Sequence, residues 1–176
     1  MSLYDQLNSA YTTQVHENNS FIDQNMIFAE QIVNALINFL EIPQKNPDLK
    51  GVESYLQYLR LDREKGYLAQ ESLAQALSHF PEGKFQFGLG LLLAAQPDHH
   101  PRQFATFAID GDRDGDRLKV GVLGKEFEYE AATQSELDLK ALCTHVFDDL
   151  MAGLSWRISD EVEKTRIGFD VTPLED

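Results

Sequence analysis

From Lys84 to Glu130 the apolar residues recur at every second position, in four runs joined by polar links. That period belongs to strands, where alternate side chains face opposite sides of a sheet. "KFQFGLGLLLAA" sets Phe85, Phe87, Leu89, Leu91 and Leu93 on one side. Its second half is apolar on both sides, as suits a central strand. "QFATFAI" follows. "RLKVGVL" then turns Leu118, Val120 and Val122 inward. "LGKEFEYE" turns on Gly124-Lys125, a Gly-first two-residue loop, and sends Phe127 and Tyr129 inward and Glu126, Glu128 and Glu130 outward. Short links pair neighbours antiparallel, so the spacing predicts a four-stranded meander over about 84–130.

Helical spacing flanks this block. Ser2 with Asp5, and Ser20 with Asp23, have the spacing of capping boxes. They predict two N-terminal helices, roughly 3–17 and 21–41, separated by the polar "TTQVHENNS". The second carries Ile22, Met26, Ala29, Val33, Leu36 and Leu40 on one stripe, which a core or a second chain must cover. After the connector "IPQKNPDLKG", Asn46-Pro47 resembles a helix start, and Leu49, Val52, Leu56 and Leu59 keep helical spacing up to Gly66. "SYLQYLRL" also suits a strand, but the spacing favours helix. "QESLAQALSHF" predicts a short helix with Leu73, Ala76, Leu77 and Phe80 on one face, stopped by Pro81. Thr133 with Glu136 caps a last long helix whose stripe runs through Leu139, Leu142, Cys143, Val146, Phe147, Leu150 and Leu154. A short strand at "RIGFDV" is expected in the polar tail.

These elements define an α+β fold: N-terminal helices, the antiparallel meander, and a long C-terminal helix packed on the sheet. At 176 residues the chain reads as one domain over 1–176, with 1–45 a helical arm that packs either on the core or in a dimer interface.

The formal charge of −14 repels a nucleic-acid backbone and an anionic membrane alike, so neither is expected as a partner. A basic protein or a cation is compatible with it. Cys143 is the only cysteine, which excludes an intrachain disulfide and a multi-cysteine zinc site. No basic start followed by an apolar run opens the chain, and no apolar run approaches a membrane span. A reducing, cytoplasmic setting is therefore expected.

"AIDGDRDGDRLKVGV" packs Asp110, Asp112, Asp114 and Asp116 together. An EF-hand loop wants oxygen ligands at positions 1, 3 and 5, Gly at 6 and a bidentate Glu at 12. Asp110, Asp112, Asp114 and Gly115 meet the first half, but position 12 is Gly121 and the flanks read as strands. Asp and Gly are also what a solvated hairpin tip requires. "LDREKGYLAQESL" has the same flavour at Asp62, Glu64 and Gly66, yet Leu61 and Ser72 fall at positions 1 and 12, so it reads as a turn.

"DRDGDRL", Asp112 to Leu118, resembles the magnesium loop of phosphohexomutases, and "SHFP", Ser78 to Pro81, resembles their phosphoserine loop. The resemblance implies Asp112, Asp114 and Asp116 as metal ligands and Ser78 as phosphate carrier. It covers about a dozen residues, and the sugar-binding domains of that family have no room between the two stretches here.

"PDHHPR" places His99 and His100 on a proline-flanked loop, where they could join a transition-metal site or act as a base beside a carboxylate. Cys143 and His145 sit two apart on a helix and so point about 200° apart, which makes Cys143 a buried structural thiol rather than a nucleophile paired with its base. Gly88 and Gly90 lie within a strand and open no helix, so they form no dinucleotide fingerprint; relief of crowding under a helix, or a bulge, explains them. Trp156 reads as a packing cap.

The functional expectation is a non-catalytic, acidic protein-interaction module of the cytosol: an adaptor, a chaperone or a neutralising partner of a basic protein, with no cofactor. Small acidic α+β secretion chaperones are similar in charge and size, a fold-level analogy in which the element order does not clearly match. A homodimer through the N-terminal helices is a secondary expectation. The alternative is a metal-dependent or small-ligand-binding enzyme using the Asp110–Asp116 loop with His99 and His100.

Overall fold

The computed structural model describes residues 2–44, 53–93, 103–130, 137–154 and 170–173. Its first element is a single helix, α1 (Leu3–Phe39), where two were expected. The Ser2–Asp5 capping box forms, with both reciprocal hydrogen bonds in place. The second box does not: the Ser20 hydroxyl faces Gln24 Nε2 within a continuous helix. "TTQVHENNS" contains neither Pro nor Gly, and the Thr12 and Thr13 hydroxyls donate back to the carbonyls of Asn8 and Ser9, at 2.8 and 3.0 Å. Polar residues alone do not interrupt the backbone ladder.

The segment read as helix after the connector is a hairpin, β1 (Leu56–Asp62) and β2 (Gly66–Gln70). Leu56 and Leu59 are both buried, but in a strand they stand on opposite faces; burial on two sides, not one helical face, produces their spacing of three. Asn46 and Pro47 lie outside the described residues. Asp62 Oδ1 accepts from the backbone N–H groups of Glu64 and Lys65, at 2.9 and 2.8 Å, and these bonds hold its carboxyl below the usual carboxylate range. The loop closes on Gly66 at φ 76°.

The next predicted helix survives as one turn, α2 (Leu73–Ala76), capped by Ser72. Ser78–His79 then forms a short strand, β3. Leu73, Ala76 and Leu77 are buried as the stripe predicts, whereas Phe80 is 46% exposed.

The meander forms as β4 (Phe85–Leu93), β5 (Gln103–Asp114), β6 (Arg117–Val122) and β7 (Lys125–Glu130). Among the described residues it is part of a larger antiparallel sheet of eight strands, with β2-β1-β4-β5-β6-β7 as its main order. β3 continues the row beside β4, and a final strand, β8 (Asp170–Pro173), pairs with the start of β5. The β6–β7 turn falls on Leu123 and Gly124, both at positive φ, one residue earlier than the Gly-first turn expected; Val122 pairs with Lys125.

Helix α3 (Lys140–Leu154) begins after Leu139; Thr133 and Glu136 lie outside the described residues. α1 and α3 cover one face of the sheet. Phe28, Ala29, Ile32, Val33 and Leu36 from α1, and Leu142, Cys143, Val146 and Leu150 from α3, bury Phe85, Phe87, Leu89, Phe107, Ile109, Leu118 and Val120. Gly88 and Gly90 do not lie under these helices. They face the outer side, where a β-carbon on Gly88 would fall 3.0 Å from Leu59 Cβ and from the Tyr67 ring. Leu59 and Phe104, both buried, close over Gly90 as a second, small apolar cluster.

Candidate functional site on the outer face of the sheet

Asp110, Asp112 and Asp114 are not arranged around a loop. They occupy alternate positions of β5, and so share the sheet face opposite α1 and α3. Only Asp116 lies in the β5–β6 turn, beside Gly115 at φ 58°. Along a strand, alternate carboxylates stand about 6.8 Å apart at the backbone, so the strand does not converge them on one point. Among the described residues, no group of three or more His, Cys, Asp and Glu side chains could hold a metal ion.

Strand register supplies the neighbours that sequence reading missed. Asp112 pairs with Lys119, and Lys119 with Glu128. Asp110 lies between Gln86 and Gly121, and Gly121 pairs with Glu126. Asp114 pairs with Arg117, and Arg117 with Glu130. The face is thus a ladder of alternating charge. Lys119 Nζ lies 3.7 Å from Glu126, and Arg117 Nη1 3.2 Å from Glu128, both diagonal contacts. Lys84 Nζ stands 4.0 Å from Asp112 and 3.7 Å from Glu82. Gln86 donates from Nε2 to Asp110. The alternation in "RLKVGV" and "KEFEYE" was the available signal for Lys119, Glu126 and Glu128; Lys84 and Gln86 needed the register of β4.

Even so paired, the face keeps a surplus of acid, since Asp110, Asp112, Asp114, Glu126, Glu128 and Glu130 outnumber Lys84, Arg117 and Lys119. Gly121 carries no side chain and leaves a dip in the ladder. The resulting depression of about 400 Å³ is rimmed by Lys84, Gln86, Asp110, Asp112, Lys119 and Glu126. Ser78 pairs with Gln86, and Gln86 with Asp110, so the two stretches that resemble phosphohexomutase loops meet in one row of the sheet, with Ser78 two strands from Asp110.

Asp98, His99, His100 and Trp156 lie outside the described residues. Cys143 is a free, buried thiol, and burial pushes its pKa up to about 11. His145 points elsewhere: its Nε2 lies 3.3 Å from the Leu123 carbonyl, and its ring meets Phe127 at 5.7 Å between centroids. The two side chains are therefore not arranged as a nucleophile and its base, and burial keeps the Cys143 thiolate scarce at neutral pH.

No protein-family model, curated protein or solved structure matches this chain. No helix among the described residues is long and apolar enough to cross a membrane.

Proposed function

We propose that the chain is a non-catalytic, acidic protein-interaction module that receives a basic segment of another protein on the outer face of its sheet. The observation that carries this reading is the charge ladder of β5, β6 and β7, in which carboxylates outnumber cations. Lysines and arginines of a partner extend such a ladder by pairing with its surplus acids. The overall charge of −14 draws such a partner in by long-range steering. An adaptor, a chaperone or a neutralising partner of a basic protein would each be served by such a face. A buried, unpaired Cys143 suits the reducing cytosol we propose as its setting.

The test is affinity capture from the native lysate at low and high salt, with the triple variant Asp110→Asn, Asp112→Asn, Asp114→Asn beside the wild type. The expected result is a basic protein retained at low salt, released at high salt, and retained several-fold less by the variant. Capture indifferent to both salt and the three substitutions would sink the reading.

One observation favours a second reading. The depression over Gly121 sets two lysines among three carboxylates and has room for a small polar ligand or a hydrated cation. Under that reading the Asp110–Asp116 stretch, with His99 and His100, forms a metal-dependent or small-ligand site. Calcium, magnesium and zinc titrations separate the two: a cation that raises Tm by several degrees would move the function to this depression.

A further inference from the structure

One helix face is sealed at one end of α1 and bare at the other. At about 100° per residue, Tyr4, Leu7, Tyr11, Val15 and Ile22 project from the same arc as Ala29, Ile32, Val33 and Leu36. The latter group is buried over the sheet, whereas Leu3, Tyr4, Leu7 and Tyr11 are exposed by 78%, 70%, 70% and 67%. Aromatic and leucine side chains of this size, clustered along about two turns, are unlike the singly scattered apolar residues of an ordinary surface.

The arm is also a poor helix by itself. Asn8, Ser9, Thr12, Thr13, Asn18, Asn19 and Ser20 are weak helix formers, and a lone helix of this length is marginal in water. Its helicity calls for a packed partner. Charge identifies which. Between Leu3 and Ser20 the ionised side chains are Asp5 and Glu17, with no Lys or Arg, in a chain of net charge −14. A near-neutral arm offers a basic protein little attraction, and offers a second copy little repulsion. We infer that the occupant is a second copy of this chain, with the two arms packed antiparallel and Leu7 of one copy against Tyr11 of the other. The antiparallel arrangement puts the two acidic sheet domains at opposite ends of the arm pair, whereas a parallel one would press them together. It is also isologous: one stripe serves both copies, as a two-fold dimer requires.

The extent suits a weak, reversible association: in this register Leu3, Tyr4, Leu7 and Tyr11 of each arm, with a smaller share from half-buried Val15, bury roughly 800–1,000 Å² in all. The inference stands apart from the proposed basic partner, which uses the opposite sheet face. A dimer would present two such faces and bind a multivalent partner by avidity.

Sedimentation equilibrium of the full chain across low to high micromolar concentration tests it. The expected result is a reversible monomer–dimer equilibrium, with the monomer at 20.0 kDa. Leu7→Asp with Tyr11→Asp should raise the dissociation constant at least a hundredfold. Neither side chain touches the core, so the variant's thermal unfolding reports whether the domain remains intact. A chain that stays monomeric at the highest concentration would overturn the inference, and so would a dimer that the double substitution leaves unchanged. Salt-sensitive capture of a basic protein should be retained by the arm variant at the single-site level, so failure here and failure of the proposed function read out separately.

Discussion

The ring of Phe85 fills the space above Gly111, its paired residue on β5: a β-carbon built on Gly111 would fall 2.1 Å from Phe85 Cζ and 2.2 Å from Cε1. Phe85 is fully buried and stacks on Phe87 at 6.4 Å between centroids, so its ring has nowhere to retreat. The absence of a side chain at 111 is therefore a packing requirement of the core.

Gly111→Ala should accordingly lower stability by about 2–3 kcal/mol, the usual cost of overpacking a filled core. For a chain of this size that is a fall in Tm of roughly 5–10 °C. Gly121→Ala is the control, because the nearest atom to a β-carbon there is Asp110 Cβ at 3.8 Å. Thermal unfolding of both variants checks the claim, which fails if they melt alike.

How much of this was legible in the sequence depends on how many sides of an element are buried. The meander was readable because β5, β6 and β7 bury alternate residues against α1 and α3, and period two follows directly. β1 was not, because Leu56 faces the helices while Leu59 faces the small cluster with Phe104. A strand buried on both faces loses its alternation and imitates a helix. The opposite error divided α1. Its polar middle has no breaker, and the apolar stripe of the buried end simply continues in phase through it. The aspartates are visible as a cluster and the hairpin turn does fall among them, at Gly115 and Asp116, but Asp and Gly favour turns and so hide the strand that carries Asp110, Asp112 and Asp114. Their common spacing of two was the strand period itself, and Lys119 and Gln86 became their neighbours only through register.

Register makes the charge ladder testable. Lys119 lies between Asp112 and Glu128 and pairs diagonally with Glu126 at 3.7 Å. Lys119→Glu would set a carboxylate directly opposite two others, so a loss of about 1–2 kcal/mol is expected at low ionic strength. These groups are solvated, and at 1 M salt the screening length shrinks to about 3 Å, so most of the loss should vanish there. A loss in Tm that is the same at low and high salt would mean the side chain acts by packing, not charge.

The outer apolar cluster predicts a stability contribution independent of the main core. Phe104 is 4% exposed although it faces away from α1 and α3, and its Cδ1 lies 3.6 Å from where a Gly90 β-carbon would stand. Phe104→Ala should cost about 3 kcal/mol, near the loss for a conventional core phenylalanine. Phe80→Ala, at a ring 46% exposed, should cost well under half as much. Urea denaturation with an unchanged m-value would confirm that both report on stability alone. Equal midpoints for the two variants would deny the cluster any structural weight.

Alkaline pH offers the last test. Burial raises the Cys143 thiol from 9.0 to about 11, and the Tyr129 phenol from 10.0 to about 12, with the neighbouring Cys143 and Asp138 adding to the second shift. Both groups are neutral when protonated. Between pH 9 and pH 12 the unfolded chain gives up these protons first, so it binds fewer protons than the native state and stability falls as pH rises. The contribution is whole below the unfolded values and is lost by the time pH passes the folded ones. Thermal melts should therefore show Tm steady near neutrality and declining from about pH 9 upward. Cys143→Ala should remove the earlier part of the decline and leave the Tyr129 part. In parallel, the Cys143 thiol should resist a thiol reagent at pH 8 in the native protein and react at once in denaturant. Rapid native-state labelling, or a Tm that holds flat to pH 11, would mean that the thiol under α3 is not sealed from water.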